Sequence, residues 1–359
     1  MSQFELLVVP GLPVLQNKTY PTPPLALSCP VGDVVLVQDL DSGLVFNSAF
    51  DPEAMTYDEE YQNEQALSPV FRRHLDDVAA VVERHGRGRT LVEVGCGKGF
   101  FFQHLKALGY DITGVDPAYE GDDTGIIKAR FEPGLGIAAD LVILRHVLEH
   151  IADPVEFLHG MARANRGKGR VYIEVPCFDW ILRHRAWYDV YYEHVNYFRQ
   201  ADFRNMFGTV HETGHLFGGQ YLYVVADLAG LQRPRADGKP LDFPPDFFRG
   251  IERHATSAKT TGGRSAATRA VWGAASKGVV FALHMQRAGV RIDYAVDINP
   301  AKQGRFLPVT GIEVIAPDQA LERLAPGTDV YVSNPNYLAE IAVQSQGRFT
   351  YLGVDDNEL

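Results

Sequence analysis

Residues Thr90-Leu91-Val92-Glu93-Val94-Gly95-Cys96-Gly97-Lys98-Gly99 decide the fold. A short apolar strand runs into three alternating glycines, and an apolar helical pattern follows around Phe101–Leu108. Glycine lets the backbone turn tightly there and lets a ligand come close. The next strand-like run, Asp111-Ile112-Thr113-Gly114-Val115, ends at Asp116, about 20 residues on, where an acid can bind a ribose hydroxyl. The dinucleotide fingerprint places its third glycine three positions after the second. Phe100 stands at that position. The G-x-G-x-G spacing therefore suits a smaller adenosyl ligand without phosphates better than a dinucleotide. Glu93, just before the loop, fits contact with a cationic amino-acid tail. A purely structural glycine turn would explain the loop alone, not strand, loop, helix and acid in order.

Working outward, strands and helices keep alternating. Ala139–Leu144 and Arg170–Val175 are strands, with a helix around Pro154–Ala164 between them. Alternation of this kind predicts a parallel, doubly wound sheet. Pro, Gly and charge mark residues 233–245 as a linker. After it the pattern restarts: Ala270-Val271-Trp272, the loop Gly273-Ala274-Ala275-Ser276-Lys277-Gly278, an apolar helix to about Ala288, and a strand ending at Asp297. The chain is thus expected to be α/β, a doubly wound Rossmann-like core followed by a second, C-terminal Rossmann-like domain. Before the core, residues 1–68 carry short β-like runs such as Val34–Val37 and an acidic, Tyr-rich stretch over 51–64. They predict a small irregular β unit. Ser68 and Pro69 are the cap and first turn of the next helix. The expected divisions are 1–68, 69–232 and 233–359.

Composition narrows the function. A chain of 359 residues exceeds one typical core, and its 46% hydrophobic and 22% charged content is ordinary for a globular protein. A formal net charge of -11 argues against a nucleic-acid partner. Three scattered cysteines do not make a disulfide framework, so a reducing compartment is expected. No apolar run approaches the roughly 20 residues that span a bilayer, and residues 1–5 lack the basic region of a secretory signal. A cytoplasmic enzyme is the expectation.

The candidate catalytic stretch is Tyr191-Tyr192-Glu193-His194-Val195-Asn196-Tyr197-Phe198. A histidine beside a carboxylate and among tyrosines can act as a general base with its orienting groups. Alone, the stretch equally fits a strand cap packing a domain seam. Upstream, His146-Val147-Leu148-Glu149-His150 matches H-x-x-E-H, a zinc-protease pattern. It directly follows a buried strand and sits on the cofactor rim, so His146 is expected to touch the cofactor or pack beneath it. The loop Gly273–Gly278 could hold a phosphate through backbone N–H groups and Lys277, or be a relic turn.

Together these motifs resemble the class I S-adenosylmethionine-dependent sugar C-methyltransferases of deoxysugar biosynthesis, over nearly the whole chain. Glu93–Gly99 and Gly114-Val115-Asp116-Pro117 resemble the cofactor motifs, which places Glu93, Gly95, Cys96, Gly97, Asp116, Pro117 and His146 at the cofactor. Tyr191-Tyr192-Glu193-His194 resembles the catalytic Tyr-x-Glu-His. Val271–Gly278, Val296–Gly304 and Ser333–Tyr337 resemble the C-terminal domain. The resemblance implies S-adenosylmethionine as methyl donor and a nucleotide-linked keto-sugar as acceptor. It implies His194 as base, Glu193 orienting it or holding a substrate hydroxyl, Tyr191 serving the enolate oxygen, and Tyr192, Asn196 and Lys277 at the substrate. In that family the N-terminal unit usually binds zinc through two Cys pairs. Here Asp39-Leu40-Asp41-Ser42-Gly43 takes that place, and Cys29 is the lone cysteine of residues 1–68. No zinc and no other metal ligand is expected. Two alternatives stand beside this reading: an O- or N-methyltransferase on another small molecule, and a non-catalytic binding protein that keeps the fold.

Overall fold

The structure is a computed structural model that describes residues 3–55, 60–260 and 268–354. Residues 56–59 of the acidic, Tyr-rich stretch therefore lie outside the described residues. The central sheet has seven strands, in the spatial order Val210–Leu216, Tyr221–Asp227, Arg170–Pro176, Leu141–Arg145, Thr90–Val94, Asp111–Val115 and Ile126–Ile127. Its middle is parallel, with Val94 opposite both Val115 and Leu144. The pair Val210–Leu216 and Tyr221–Asp227 adds an antiparallel extension at one side, a hairpin that the strand-by-strand sequence reading did not include.

The helix Pro69–Gly86 begins as expected. The Ser68 hydroxyl accepts from the Val70 and Phe71 backbone N–H groups, with Pro69 at the first helical position. The same hydroxyl donates to Glu340 of the C-terminal domain, 2.5 Å away. Val78, Val82 and Leu75 of this helix pack on one face of the sheet together with Phe101, Phe102 and Leu105.

The C-terminal domain is a five-stranded, fully parallel sheet. Its order is Glu313–Ile315, Tyr294–Val296, Arg269–Trp272, Asp329–Val332 and Thr350–Gly353. Gly278 explains the tight loop, since a Cβ there would sit 1.8 Å from the Gly273 carbonyl oxygen. The helix Arg249–Thr260 between linker and domain is absent from the sequence reading. Its buried residues His254, Ala255 and Ala258 give too weak an apolar stripe to announce it.

The N-terminal unit is more regular than expected. Strands Gln3–Pro13, Val31–Asp39 and Val45–Asn47 form an antiparallel sheet, and its fourth strand is Asn196–Tyr197, from the candidate catalytic stretch. At the turn after Asp39, the Asp39 carboxylate accepts from the Asp41 N–H, and the Ser42 hydroxyl accepts from the Leu44 N–H. One apolar core runs through all three units, from Leu36 through Val175 and Trp187 to Phe281 and Val271.

A buried ionic cluster stiffens the central sheet. Glu174, with no exposed side-chain surface, accepts from Arg145 at 3.1 Å and from the Tyr172 hydroxyl at 2.9 Å, and lies 3.2 Å from His74 and from His146. Burial alone would raise its pKa, but Arg145, His74 and His146 hold it well below the usual carboxylate range. A depressed folded pKa means stability that is present above the ordinary carboxylate pKa and lost as pH falls through the folded value. Glu174→Gln takes from the buried Arg145 guanidinium its hydrogen-bonded carboxylate and should cost about 3–5 kcal/mol, measured by urea unfolding at neutral pH. An unchanged midpoint would show that the cluster does not carry the sheet.

Candidate active site

A cavity of about 250 Å³ lies where the three units meet. Its walls come from the carboxyl ends of both parallel sheets, the position where open α/β sheets bind ligands. From the central sheet come His146, Glu149 and His150, after strand Leu141–Arg145. From the C-terminal sheet come Gly273, Asp297 and Asn334, after strands Arg269–Trp272, Tyr294–Val296 and Asp329–Val332. Asn17 and Tyr61 close it from the N-terminal side, and Tyr191, Glu193 and His194 project in from the loop.

The glycine loop lies beside this cavity. Gly95 has φ 75° and a Cβ there would meet Val147 at 2.3 Å, so the loop and the His146–His150 turn are in direct contact. Gly97 has φ 54° and gives its N–H to Asp116 at 2.7 Å. The other Asp116 oxygen accepts from Ala118 N–H. Burial raises the Asp116 pKa, while these two backbone donors oppose the rise. Glu93 is 2% exposed and one of its carboxylate oxygens has no hydrogen-bond partner. Burial pushes its pKa up to about 7, Arg145 pulling it down and Asp116 up. An orphaned carboxylate beside an open glycine loop, with an acid at the end of the next strand, suits a ligand with a cationic tail and a ribose. Cys96 is buried, and burial pushes its thiol well up, so it packs rather than reacts. Pro117 is exposed just past Asp116.

His194 is 9% exposed. Burial lowers its pKa well below the usual value, and the nearby His150, His146 and Lys277 lower it further. It is therefore neutral at physiological pH. Its ring meets Tyr191 edge-on at 4.6 Å and His150 at 5.1 Å between centroids. The Tyr191 hydroxyl donates to Asp189 at 2.5 Å, so the tyrosine braces the imidazole with its ring while its O–H is engaged. Glu193 does not orient His194. Its two oxygens accept from Gln16 N–H and from the Tyr61 hydroxyl, both at 2.6 Å, because the strand pairing at Asn196 turns this side chain toward the N-terminal unit. Burial raises its pKa.

Lys277 reaches the cavity and donates to Asp189 at 2.7 Å and Gln220 at 2.9 Å. Tyr192 and Asn196 do not line it. Tyr192 is buried with its hydroxyl accepting from Asp51 N–H, and Asn196 donates to the Ile151 carbonyl. They hold the loop in place instead of facing an acceptor. The segment around His146 is a 3-10 turn, Leu148–His150, with His146 at φ 53°. The His146 ring packs edge-on against Tyr221 at 4.5 Å and lies 3.3 Å from Glu149. Burial would lower its pKa, but the Glu149 and Glu174 carboxylates raise it to about 9.

Two lining residues had no role in the sequence reading. Asp189 ties Tyr191 to Lys277, and nothing in Trp187-Tyr188-Asp189 signals it. Lys302 is 3% exposed and donates to the Ala274 carbonyl at 2.9 Å. Its place after Asp297 in a glycine-loop domain was the available signal.

A doubly wound core with this loop, opening on a shared cavity, defines a class I methyltransferase architecture. Residues 63–210 match the family described as Methyltransferase domain, and residues 253–351 match the C-methyltransferase C-terminal domain. The chain is 26% identical over 279 residues to the C-methyltransferase NovU of Streptomyces niveus, 67% of this chain and 66% of that protein. It is 33% identical over 109 residues to the ubiquinone biosynthesis O-methyltransferase of Caulobacter sp. (strain K31), 24% of this chain and 43% of that protein. Among solved structures, the PH0226 protein from Pyrococcus horikoshii OT3 aligns with TM-score 0.37 and 14% identity, over 48% of this chain and 99% of that one. Together the two domain matches and the NovU relative support an S-adenosylmethionine-dependent C-methyltransferase. No helix among the described residues is long and apolar enough to cross a membrane.

Asp116→Ala should remove the acid expected at the ribose and release the Gly97 N–H. Affinity for S-adenosylhomocysteine, measured by calorimetry, is expected to fall about tenfold or more, the loss of one charge-assisted hydrogen bond or two. Unchanged affinity would place the cofactor elsewhere.

Proposed function

We propose that this protein methylates a carbon beside the ketone of a nucleotide-linked deoxysugar. The observation that carries the reading is His194, a buried neutral imidazole on a cavity between the carboxyl ends of two parallel sheets. S-adenosylmethionine supplies a methyl group on an already activated sulfonium. What the chain must add is proton removal from a carbon acid and alignment of two carbons.

His194 takes the proton from the acceptor carbon. Its depressed pKa keeps the lone pair free across the neutral range, and the same burial keeps competing water away. Tyr191 holds the ring edge, and Asp189 holds Tyr191. Lys277 carries positive charge to the cavity wall where an enolate oxygen or a diphosphate would gain from it. The C-terminal match supports carbon as the acceptor, since the Caulobacter O-methyltransferase relative aligns with only 24% of this chain. The nucleotide sugar is the acceptor class that the C-terminal glycine loop and Lys277 suit. Reaction at an oxygen or nitrogen acceptor would not need His194 to remove a proton from carbon.

His194→Gln should slow turnover about a hundred- to ten-thousand-fold, the range of a positioned general base, with S-adenosylhomocysteine affinity nearly unchanged. Solvent hydrogen exchange at the acceptor carbon, followed without methyl donor, should fall in parallel. Near wild-type exchange in the variant would sink the assignment of the base.

The pH profile supplies a second check. The active form of His194 is neutral, and its folded pKa lies below the ordinary value of about 6.5. The rate should therefore hold as pH falls through about 6.5 and drop only well below it. A profile whose acid limb is centred near the ordinary value would mean a solvated base.

A further inference from the structure

Glu149 is the least explained side chain in the cavity. It is 1% exposed and lines the cavity wall, yet neither carboxylate oxygen has a hydrogen-bond partner among the described residues. Its nearest charged neighbour is His146, 3.3 Å from one oxygen. The protonated His146 ring faces one oxygen, but the other is buried without any donor, a cost that a further cation would relieve. Two further donors converge on it. One ligand atom each from Glu149, His150 and His194 lie within 4.8 Å of one another. His150 bonds the Glu193 carbonyl through Nδ1 at 2.9 Å, which leaves Nε2 turned to the cavity as a lone-pair donor. A backbone partner on the far nitrogen is the usual support of a metal-bound histidine.

We propose that Glu149, His150 and His194 form a divalent-cation site in the cavity wall. Two imidazoles and one carboxylate with open positions suit a first-row ion such as Co²⁺ or Mn²⁺. The site departs from the sequence expectation, which assigned no metal ligands. It also differs from the H-x-x-E-H zinc pattern, because both His146 nitrogens face carboxylates, Glu149 and Glu174, and His194 supplies the second imidazole. A second cluster, His74, His146 and Glu174, is no rival, since the Arg145 guanidinium already holds Glu174 at 3.1 Å.

One consequence rests on the proposed role of His194 as base. A cation and a proton compete for the same imidazole lone pair, so the loaded protein cannot use His194 to deprotonate carbon. Cation binding is then inhibitory, and the cavity reports divalent metal as well as substrate.

The experiment uses full-length protein stripped with a chelator and titrated with Co²⁺. Visible absorption and calorimetry should show one ion per chain without a thiolate charge-transfer band. Glu149→Gln should weaken binding at least tenfold with S-adenosylhomocysteine affinity retained, and His150→Gln should do the same if the first variant does not fold. Co²⁺ should suppress solvent exchange at the acceptor carbon at least tenfold, reversed by chelator. No bound ion, binding indifferent to both variants, or a thiolate band would overturn the site and leave the base reading untouched. Tight binding with faster exchange would keep the site and overturn His194 as base.

Discussion

Two backbone pairs, Val45 with Tyr197 and Phe46 with Asn196, join the candidate catalytic loop to the N-terminal sheet. The Asn47 N–H adds a third link to the Val195 carbonyl at 2.7 Å. Each such bond contributes about 0.5–1.5 kcal/mol net, but their geometric effect is larger. Side chains alternate along a strand, so fixing Asn196 and Tyr197 by register determines which neighbours face the cavity. Glu193 thereby meets Gln16 and Tyr61 on the N-terminal side of the cavity, and His194 lies beside it on the cavity wall. The N-terminal unit, without paired thiolates, thus has a structural task in its own right: it is the wall against which the loop is registered.

The cavity exists because two sheets of the same kind present the same edge to each other. The carboxyl ends of parallel strands are where loops diverge and leave a crevice. Here the crevice of one domain is roofed by that of the other. The shared core from Val175 through Trp187 to Phe281 keeps the edges apposed. The polar link Tyr191–Asp189–Lys277 crosses the same seam inside the cavity. Under the proposed function, the donor comes from the side of the Gly95–Gly99 loop and the acceptor from the C-terminal side.

Much of this was legible in the sequence because it depends on local pattern. The strand–glycine–helix units at Thr90 and Arg269 declare themselves by apolar periodicity and glycine spacing, and Ser68-Pro69 by cap chemistry. What was illegible depends on contacts between residues far apart in the chain. Asn196–Tyr197 is a two-residue strand whose partner lies about 150 positions away, and no periodicity survives at that length. For the same reason Tyr192 and Asn196 looked like acceptor contacts when they are loop fasteners. Asp189 has no local signature, since its role comes from meeting Lys277 of another domain. The His146–His150 segment matches a zinc-protease pattern that would need a helix, while its place after a strand marks it as a rim. Its φ of 53° at His146 makes it a turn, and the spacing of the pattern then no longer describes a shared face.

The Ser68 hydroxyl serves two masters. It caps the helix Pro69–Gly86 and donates to Glu340, whose carboxylate thereby rests at the positive end of that helix. Opening the seam between the domains pulls this anion away from the helix dipole. Domain separation and fraying of the first turn are then a single cooperative event, and the interface is stiffer than its side-chain contacts alone would make it. Ser68 and Glu340 both line the cavity, so this cap is also part of the wall that a bound ligand meets.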